Sequence, residues 1–272
     1  MNYKAMGEVV AKSFRWLSLG LIALVVAACA SQSTSSSSKP AAAKAWTVED
    51  LRAALSVQSR PQADRDRDAD RKPADLMMVL GVKPGMTAID LLAAGGYVTE
   101  VLSIAVGPTG KVYAQNPAAL LKMRDGANDK ALSARLANNH LPNVTRVDDN
   151  LPQPQVAPGS VDVAITVMNL HDIYNSYGAE AAGGFVKGVY TALKPGGAFC
   201  VVDHVGVAGA DNAKLHRMQK QQAIDVVTGA GFKLETDSNV LAHSADDHTK
   251  GVFDGSLRGK TDQFTLVFRK PK

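Results

Sequence analysis

Residues 87–97, TAIDLLAAGGY, constrain the fold of this chain more than any other stretch. An apolar run over 88–92, broken only by Asp90, meets Gly95-Gly96, and a second apolar segment follows. A short apolar run closed by glycine reads as a buried strand, and the spacing from Tyr97 onward reads as the start of a helix. A strand that turns through small residues into a helix brings unpaired helix-start N–H groups beside a turn with few side chains. That arrangement receives nucleotide-like ligands.

The rest of the chain supplies the neighbours such a strand needs. Thr47 to Asp50 has capping-box-like spacing, predicting a short helix to about residue 57. Residues 64–72 alternate in charge and read as a solvated helix face. Pro73 opens a helix over 74–80 that Gly81 closes, and Lys83-Pro84-Gly85 turns into the 88–92 strand. Val98, Leu102 and Ala105 mark one face of the helix that follows the glycine turn. Further strands are expected over 111–115, 144–147, 161–167, 198–203, 232–240 and 264–268, with helices over 116–138, 180–193 and 214–230 between them. Alternation at this spacing predicts an α/β domain, its mostly parallel seven-stranded sheet covered by helices on both faces. Ligands of such sheets sit beyond the carboxyl ends of the strands. Residues 90–97, Asn116, Asp148, Asp149, residues 169–172, Asp203 and His204 are therefore expected around the cleft.

The N-terminus is of a different kind. Lys4, Lys12 and Arg15 precede an apolar run over 16–28 that ends at Cys29. This is the layout of an export signal, too short to stay as a spanning helix. Val26 to Cys29 resembles the lipobox of bacterial lipoproteins, and a Ser/Ala-rich tether over 29–45 follows. The expectation is a signal over 1–28, lipid attached at Cys29, and a folded domain over 46–272. Ala30 after the cysteine favours the outer membrane facing the periplasm. Removing 1–28 takes away three bases and one acid, so the remaining domain is near neutral despite a sequence pI of 9.0. No nucleic-acid partner is expected. Cys200, within AFCVV, reads as a buried strand residue.

The strand with its acid, the glycine turn, a second strand ending at Asn116, and the downstream segment LKPGGAFCVVDH occur in one order. In that order they resemble the class I S-adenosylmethionine-dependent methyltransferases over most of residues 74–272. The likeness is closest to a bacterial group of predicted, often exported, methyltransferases. That group has an NxHD-like element after the fourth strand and an RGKTD-like element near the C-terminus, here Asn169 to Asp172 and Arg258 to Asp262. The resemblance implies a Rossmann-like class I fold, S-adenosylmethionine as cofactor and a small-molecule methyl acceptor. It sets Asp90, Gly95 and Gly96 around the methionine part of the cofactor, with Leu91, Ala93 and Tyr97 beside them. Asn116 would meet the ribose, Asp148 or Asp149 the adenine amino group, and Asn169 to Asp172 would border sulfonium and acceptor. Where the family's turn reads acid-x-Gly-x-Gly-x-Gly, this chain has Leu92 and Ala94 in place of the first two glycines.

Methyl transfer asks for alignment, and for a base where the acceptor carries a proton. His171 is the preferred base with Asp172 orienting it, and His204 is a second candidate; Asp172 capping a turn beside a packed His171 is the competing reading. His243 and His248 with Asp246-Asp247 fit no standard metal spacing and read as a solvated loop. Arg258 and Lys260 read as fold-internal ion-pair partners. Arg65, Arg67 and Arg71, if helical, could reach the cofactor carboxylate, a solvated face being the default reading. The rival function is a non-catalytic lipoprotein domain that keeps the fold and binds a small ligand.

Overall fold

The computed structural model describes residues 45–150 and 152–272. The signal, Cys29 and the tether through residue 44 lie outside the described residues. Seven strands form one sheet in the order β3-β2-β1-β4-β5-β7-β6: β1 (Thr87–Leu91), β2 (Lys111–Asn116), β3 (Val144–Asp148), β4 (Val161–Val167), β5 (Leu193–His204), β6 (Lys233–Ser238) and β7 (Gln263–Arg269). The first five run parallel, and β7 inserts antiparallel between β5 and β6. The chain leaves β1 outward through β2 and β3, then returns to pair β4 on the other side of β1. The switch point lies between β1 and β4, so their carboxyl ends open a crevice.

Alternation along β1 explains why an almost continuous apolar run was needed. Ile89 and Leu91 enter one core layer with Phe185, Val189 and Phe199, while Ala88 enters the other with Leu80, Val101 and Leu102. Helices α1 (Val48–Leu55), α4 (Pro73–Leu80) and α5 (Tyr97–Val106) cover one face; α7 (Leu170–Ala192) and α9 (Lys220–Gly229) cover the other. Each large apolar side chain buried there contributes about 1.5–3 kcal/mol. Asp90 is the interruption in β1, and it is buried where the strand reaches the crevice.

Four expected elements differ. The alternating charges over 64–72 are only in part a solvated face. They form two single-turn helices, α2 (Gln62–Arg65) and α3 (Asp68–Arg71), in which Asp66, Arg67 and Asp70 stay exposed while Asp64 and Asp68 pair inward. Arg60 is buried, bonding Leu55 O and Asp68, and Asp64 is buried between Arg67 and Arg135. The helix expected over 116–138, α6 (Ala118–Leu136), breaks at Met123 to Gly126, where Arg124, Asp125 and Gly126 take left-handed backbone. The helix expected from residue 180 starts at Leu170 and is interrupted at Gly178 (φ +85°), so the NLHD element opens a helix. The helix expected over 214–230 splits into α8 (Asn212–Leu215) and α9, because His216 turns left-handed (φ +53°) to bury Arg217 and Met218.

The segment carrying His243, Asp246 and His248 is also more than a solvated loop. Asp246 is buried against Arg217 at 2.9 Å and accepts N–H bonds from Asp262 and His248. No ion pair forms at Arg258 or Lys260 among the described residues. No helix of the described residues is long and apolar enough to cross a membrane.

Candidate functional site

The crevice is built on the turn after β1. Leu92, Ala94 and Gly96 all have left-handed backbone, at φ +53°, +49° and +84°. These are the three positions at which the resemblance expects glycine. The turn therefore keeps its shape with two β-carbons on it, at a cost of roughly 1–2 kcal/mol per residue. Side chains of β2 hold it. Leu92 N–H donates to Gln115 Oε1 at 3.2 Å, and Ala93 N–H donates to Gln115 O at 3.0 Å. Ala94 N–H donates to Asn116 Oδ1 at 2.8 Å, and Asn116 Nδ2 returns a bond to Ala94 O at 3.3 Å. Asn116 is fully buried and folded onto the turn, so it does not present its amide to a ribose.

A cleft of about 540 Å³ lies over this turn. Asp90, Ala93, Gly95, Tyr97 and Asn169 line it, as the sequence places them. Leu91 points into the core and Gly96 is buried, a β-carbon there falling 2.8 Å from Leu132 Cδ1. Asp148 is exposed and paired with Arg146, while Asp149 is buried and accepts from Gln115 Nε2 at 2.8 Å. Neither lines the cleft; both serve the β2–β3 edge. Burial pushes the Asp90 carboxyl up to about 7, against the opposing hydrogen bond from Thr99 Oγ1 at 2.6 Å. A cationic ligand group beside it would restore the carboxylate.

The rim is cationic. Arg67 and Arg71 lie over the Tyr97 ring at 4.7 and 5.0 Å, and the Tyr97 hydroxyl donates to Asp68 at 2.7 Å. Among the described residues Arg71 has no carboxylate partner; burial and the charge of Arg67 lower its pKa. Arg65 turns away, donating to backbone carbonyls at Val57 and Gln58. Sequence reasoning left Arg67 and Arg71 on a solvated face because charge alternation does not reveal which partners fold inward.

A second cleft of about 360 Å³ adjoins the first, sharing Arg67, Arg71 and Met168. His204, Phe253 and Arg258 line it. Met168 (φ +60°) stands between the two clefts, its N–H bonded to Val202 O at 2.7 Å. A larger groove of about 770 Å³ lies elsewhere, among Arg52, Ala69 and Val240. It lacks the strand-end position that the β1 and β4 termini give the other two.

Four side chains meet at the β4 and β5 ends. His171 Nδ1 lies 2.6 Å from Asp203 Oδ1, and His171 N–H donates to Asp203 Oδ2 at 2.9 Å. His171 Nε2 is 3.2 Å from Asp172 Oδ1, which His216 Nδ1 also approaches at 3.1 Å. Burial opposes a charge on His171, but the bonds to Asp172 and Asp203 outweigh it and push its pKa up to about 10. With both ring nitrogens engaged and a proton already held, His171 is not free to act as the base that the sequence suggested. His204 is the reverse case. Burial pushes it down to about 4, and its Nδ1 is buried without a partner. His216 was missed because a lone histidine after a predicted helix start carries no signal.

No known protein family and no curated protein matches the sequence. Solved structures do match the fold. An S-adenosylmethionine-dependent methyltransferase from Aquifex aeolicus superposes with a TM-score of 0.56 at 14% identity, covering 83% of this chain and 99% of its own. The [4+2]-cyclase SpnF superposes with a TM-score of 0.55 at 16% identity, covering 75% of this chain and 81% of its own. The chain thus has the Rossmann-like fold of class I methyltransferases, its mostly parallel sheet ending in one antiparallel hairpin.

Proposed function

We propose that this protein is an S-adenosylmethionine-dependent methyltransferase acting on a small acceptor. The observation that carries the reading is the turn of three left-handed residues beneath a cleft that Asp90 enters at the β1–β4 switch point. The donor set fits the cofactor's methionine end. Asp90 would take its ammonium and Arg71, which has no carboxylate partner among the described residues, its carboxylate, each a charge-assisted bond. Bound there, S-adenosylmethionine supplies a methyl group activated by its sulfonium.

The residues of the chain then do the positioning. The Met168 backbone separates cofactor cleft from acceptor cleft, and the second cleft's size suits a small molecule. An acceptor held in the second cleft would be presented to that methyl group past the Met168 backbone, so the chain's own part is alignment. His204 lines that cleft and, kept neutral by burial, packs beside the acceptor; a proton lost from an acceptor N–H or O–H goes to solvent. His171, held by Asp203 and Asp172, keeps the β4 and β5 ends in register.

One observation favours a second reading, a non-catalytic small-ligand module. Leu92 and Ala94 put β-carbons where the ligand would approach, and Asn116 is spent on the turn. Calorimetric titration of the purified protein with S-adenosylmethionine and S-adenosylhomocysteine separates the readings. Micromolar binding of both is expected, and millimolar or absent binding removes the methyltransferase. We also propose that Cys29 carries a lipid anchor and that the domain faces the periplasm. Palmitate labelling lost in Cys29→Ser supports the anchor, and labelling that persists refutes it.

A further inference from the structure

We infer that His171, Asp172 and His216 form a binding site for one divalent first-row transition ion, with Zn2+ the expected occupant. The ligand atoms Nε2 of His171, an Asp172 carboxylate oxygen and Nδ1 of His216 all lie within 4.8 Å of one another. The two distances through Asp172 are 3.2 and 3.1 Å, and the ion takes the place of the proton that His171 holds toward Asp172, which is released to solvent. Around a tetrahedral ion with bonds of about 2.0–2.1 Å, neighbouring ligand atoms stand roughly 3.3 Å apart. A small rotation of the exposed His216 and Asp172 side chains brings all three atoms to that spacing.

The surroundings are those of a metal site rather than of a chance ion pair. A metal-binding histidine usually gives its other ring nitrogen to a carboxylate, which fixes ring orientation and raises ligand basicity. Asp203 does this for His171 at 2.6 Å, and its second oxygen accepts the His171 backbone N–H, so the carboxylate itself is fixed. Asp203 and His171 are buried, whereas Asp172 and His216 remain 58% and 40% exposed. One ligand is therefore rigid and buried, two are accessible, and the outward side is left for water or another donor. His216 adopts a left-handed backbone, a conformation that persists only where surrounding structure enforces it. Its ring meets that of Phe253 edge-on at 4.8 Å.

The donor set decides the class of ion. Two imidazoles and one carboxylate suit Zn2+ and its first-row neighbours, not Mg2+ or Ca2+, which require oxygen ligands. Three protein ligands with an open fourth position is the pattern of reactive rather than purely structural zinc. The His171 ring stands 5.8 Å from that of His204, which lines the second cleft, so the proposed site lies beside that cleft. Binding of the ion does not depend on methyl transfer and can be tested without it.

The test is titration of the untagged, metal-stripped, full-length protein with Zn2+ by calorimetry and with Co2+ by visible absorption. The expected result is one ion per chain at micromolar affinity or tighter, with the intense Co2+ bands of a four-coordinate site. Asp172→Asn and His216→Ala, both at accessible positions and compatible with folding, should each weaken binding about 100-fold or abolish it. Asp203→Asn should weaken it about 10–100-fold by releasing the His171 ring. His243→Ala, outside the cluster, should bind as the parent does. Absence of stoichiometric Zn2+ binding by the parent protein, or unchanged binding in both Asp172→Asn and His216→Ala, overturns the inference.

Discussion

Ala94 concentrates the problem of the turn in one β-carbon. Its left-handed backbone costs about 1 kcal/mol. Ala94→Gly relieves that strain but adds about 0.5–1 kcal/mol of unfolded-state entropy, so stability should move by less than about 1 kcal/mol. Binding should change more, because the β-carbon leaves the cleft. Calorimetry should show S-adenosylmethionine held several-fold tighter, and weaker binding would place the ligand elsewhere. Leu92→Gly is not equivalent, since Leu92 packs against the core and its loss costs packing as well. Asp90 gives a pH signature. Its folded pKa near 7 lies above the usual carboxylate value of 3.8, so the folded state binds the proton more tightly. The stabilisation this gives is present below about pH 4 and is lost as pH rises through 7, a change of up to about 4 kcal/mol. Urea midpoints at pH 5 and pH 8 should therefore differ less for Asp90→Asn than for the parent. An unchanged difference refutes the assignment. Asp90 and the glycine pair were legible in the sequence because a buried acid and paired glycines are rare in such a strand. The left-handed conformations of Leu92, Ala94 and Met168 were not, since no local pattern marks a non-glycine residue that its neighbours hold in place.

Periodicity found the inner strands because their apolar runs are buried on both faces, and β4 was read to its ends for that reason; β3 and β6, at the sheet edges, are half-buried or exposed. Helix ends were misread wherever a tertiary contact overrode the local pattern. The break at His216 is the clearest instance: continuing the helix would have carried Arg217 out to solvent, whereas the break buries it against Asp246. This ion pair ties the segment before β7 to the end of β5, since Arg217 also donates to Val205 O at 3.0 Å and Lys250 O at 3.1 Å. Removing one partner leaves the other charge buried, so Arg217→Ala should cost about 3–5 kcal/mol in urea denaturation. Lys220→Ala breaks an exposed pair with Asp237 and should cost less than about 1 kcal/mol. Equal costs for the two would show that the segment around Asp246 is not packed as described. The strap of α2 and α3 follows the same logic. Its charges were visible, but only the fold reveals that Arg60, Arg67 and Arg71 gather around one tyrosine.

At the scale of the molecule, the crevice sits where it does because the sheet reverses between β1 and β4; its place at the carboxyl ends of the strands was legible before any residue was assigned a role, the strand order was not. What pattern cannot supply is how the two clefts join, because Met168, Arg71 and His204 come from three separated segments. The sheet also links ligand binding to global stability through Cys200. It lies in β5 between β4 and β7, fully buried, and burial pushes its thiol up to about 12. A thiol reagent can reach it only when β5 leaves its neighbours, which requires both core layers to open. In a Cys29→Ser variant, where Cys200 is the one remaining cysteine, labelling should therefore track global unfolding. A ligand that binds only the folded state stabilises it by about 2.7 kcal/mol at a hundred times its Kd. S-adenosylmethionine at that concentration should slow Cys200 labelling about 100-fold. If calorimetry shows binding but labelling stays at its ligand-free rate, β5 opens locally and the sheet is not one cooperative unit. If labelling slows as expected, the cleft over the β1 turn and the thiol at the centre of the sheet belong to the same folding equilibrium.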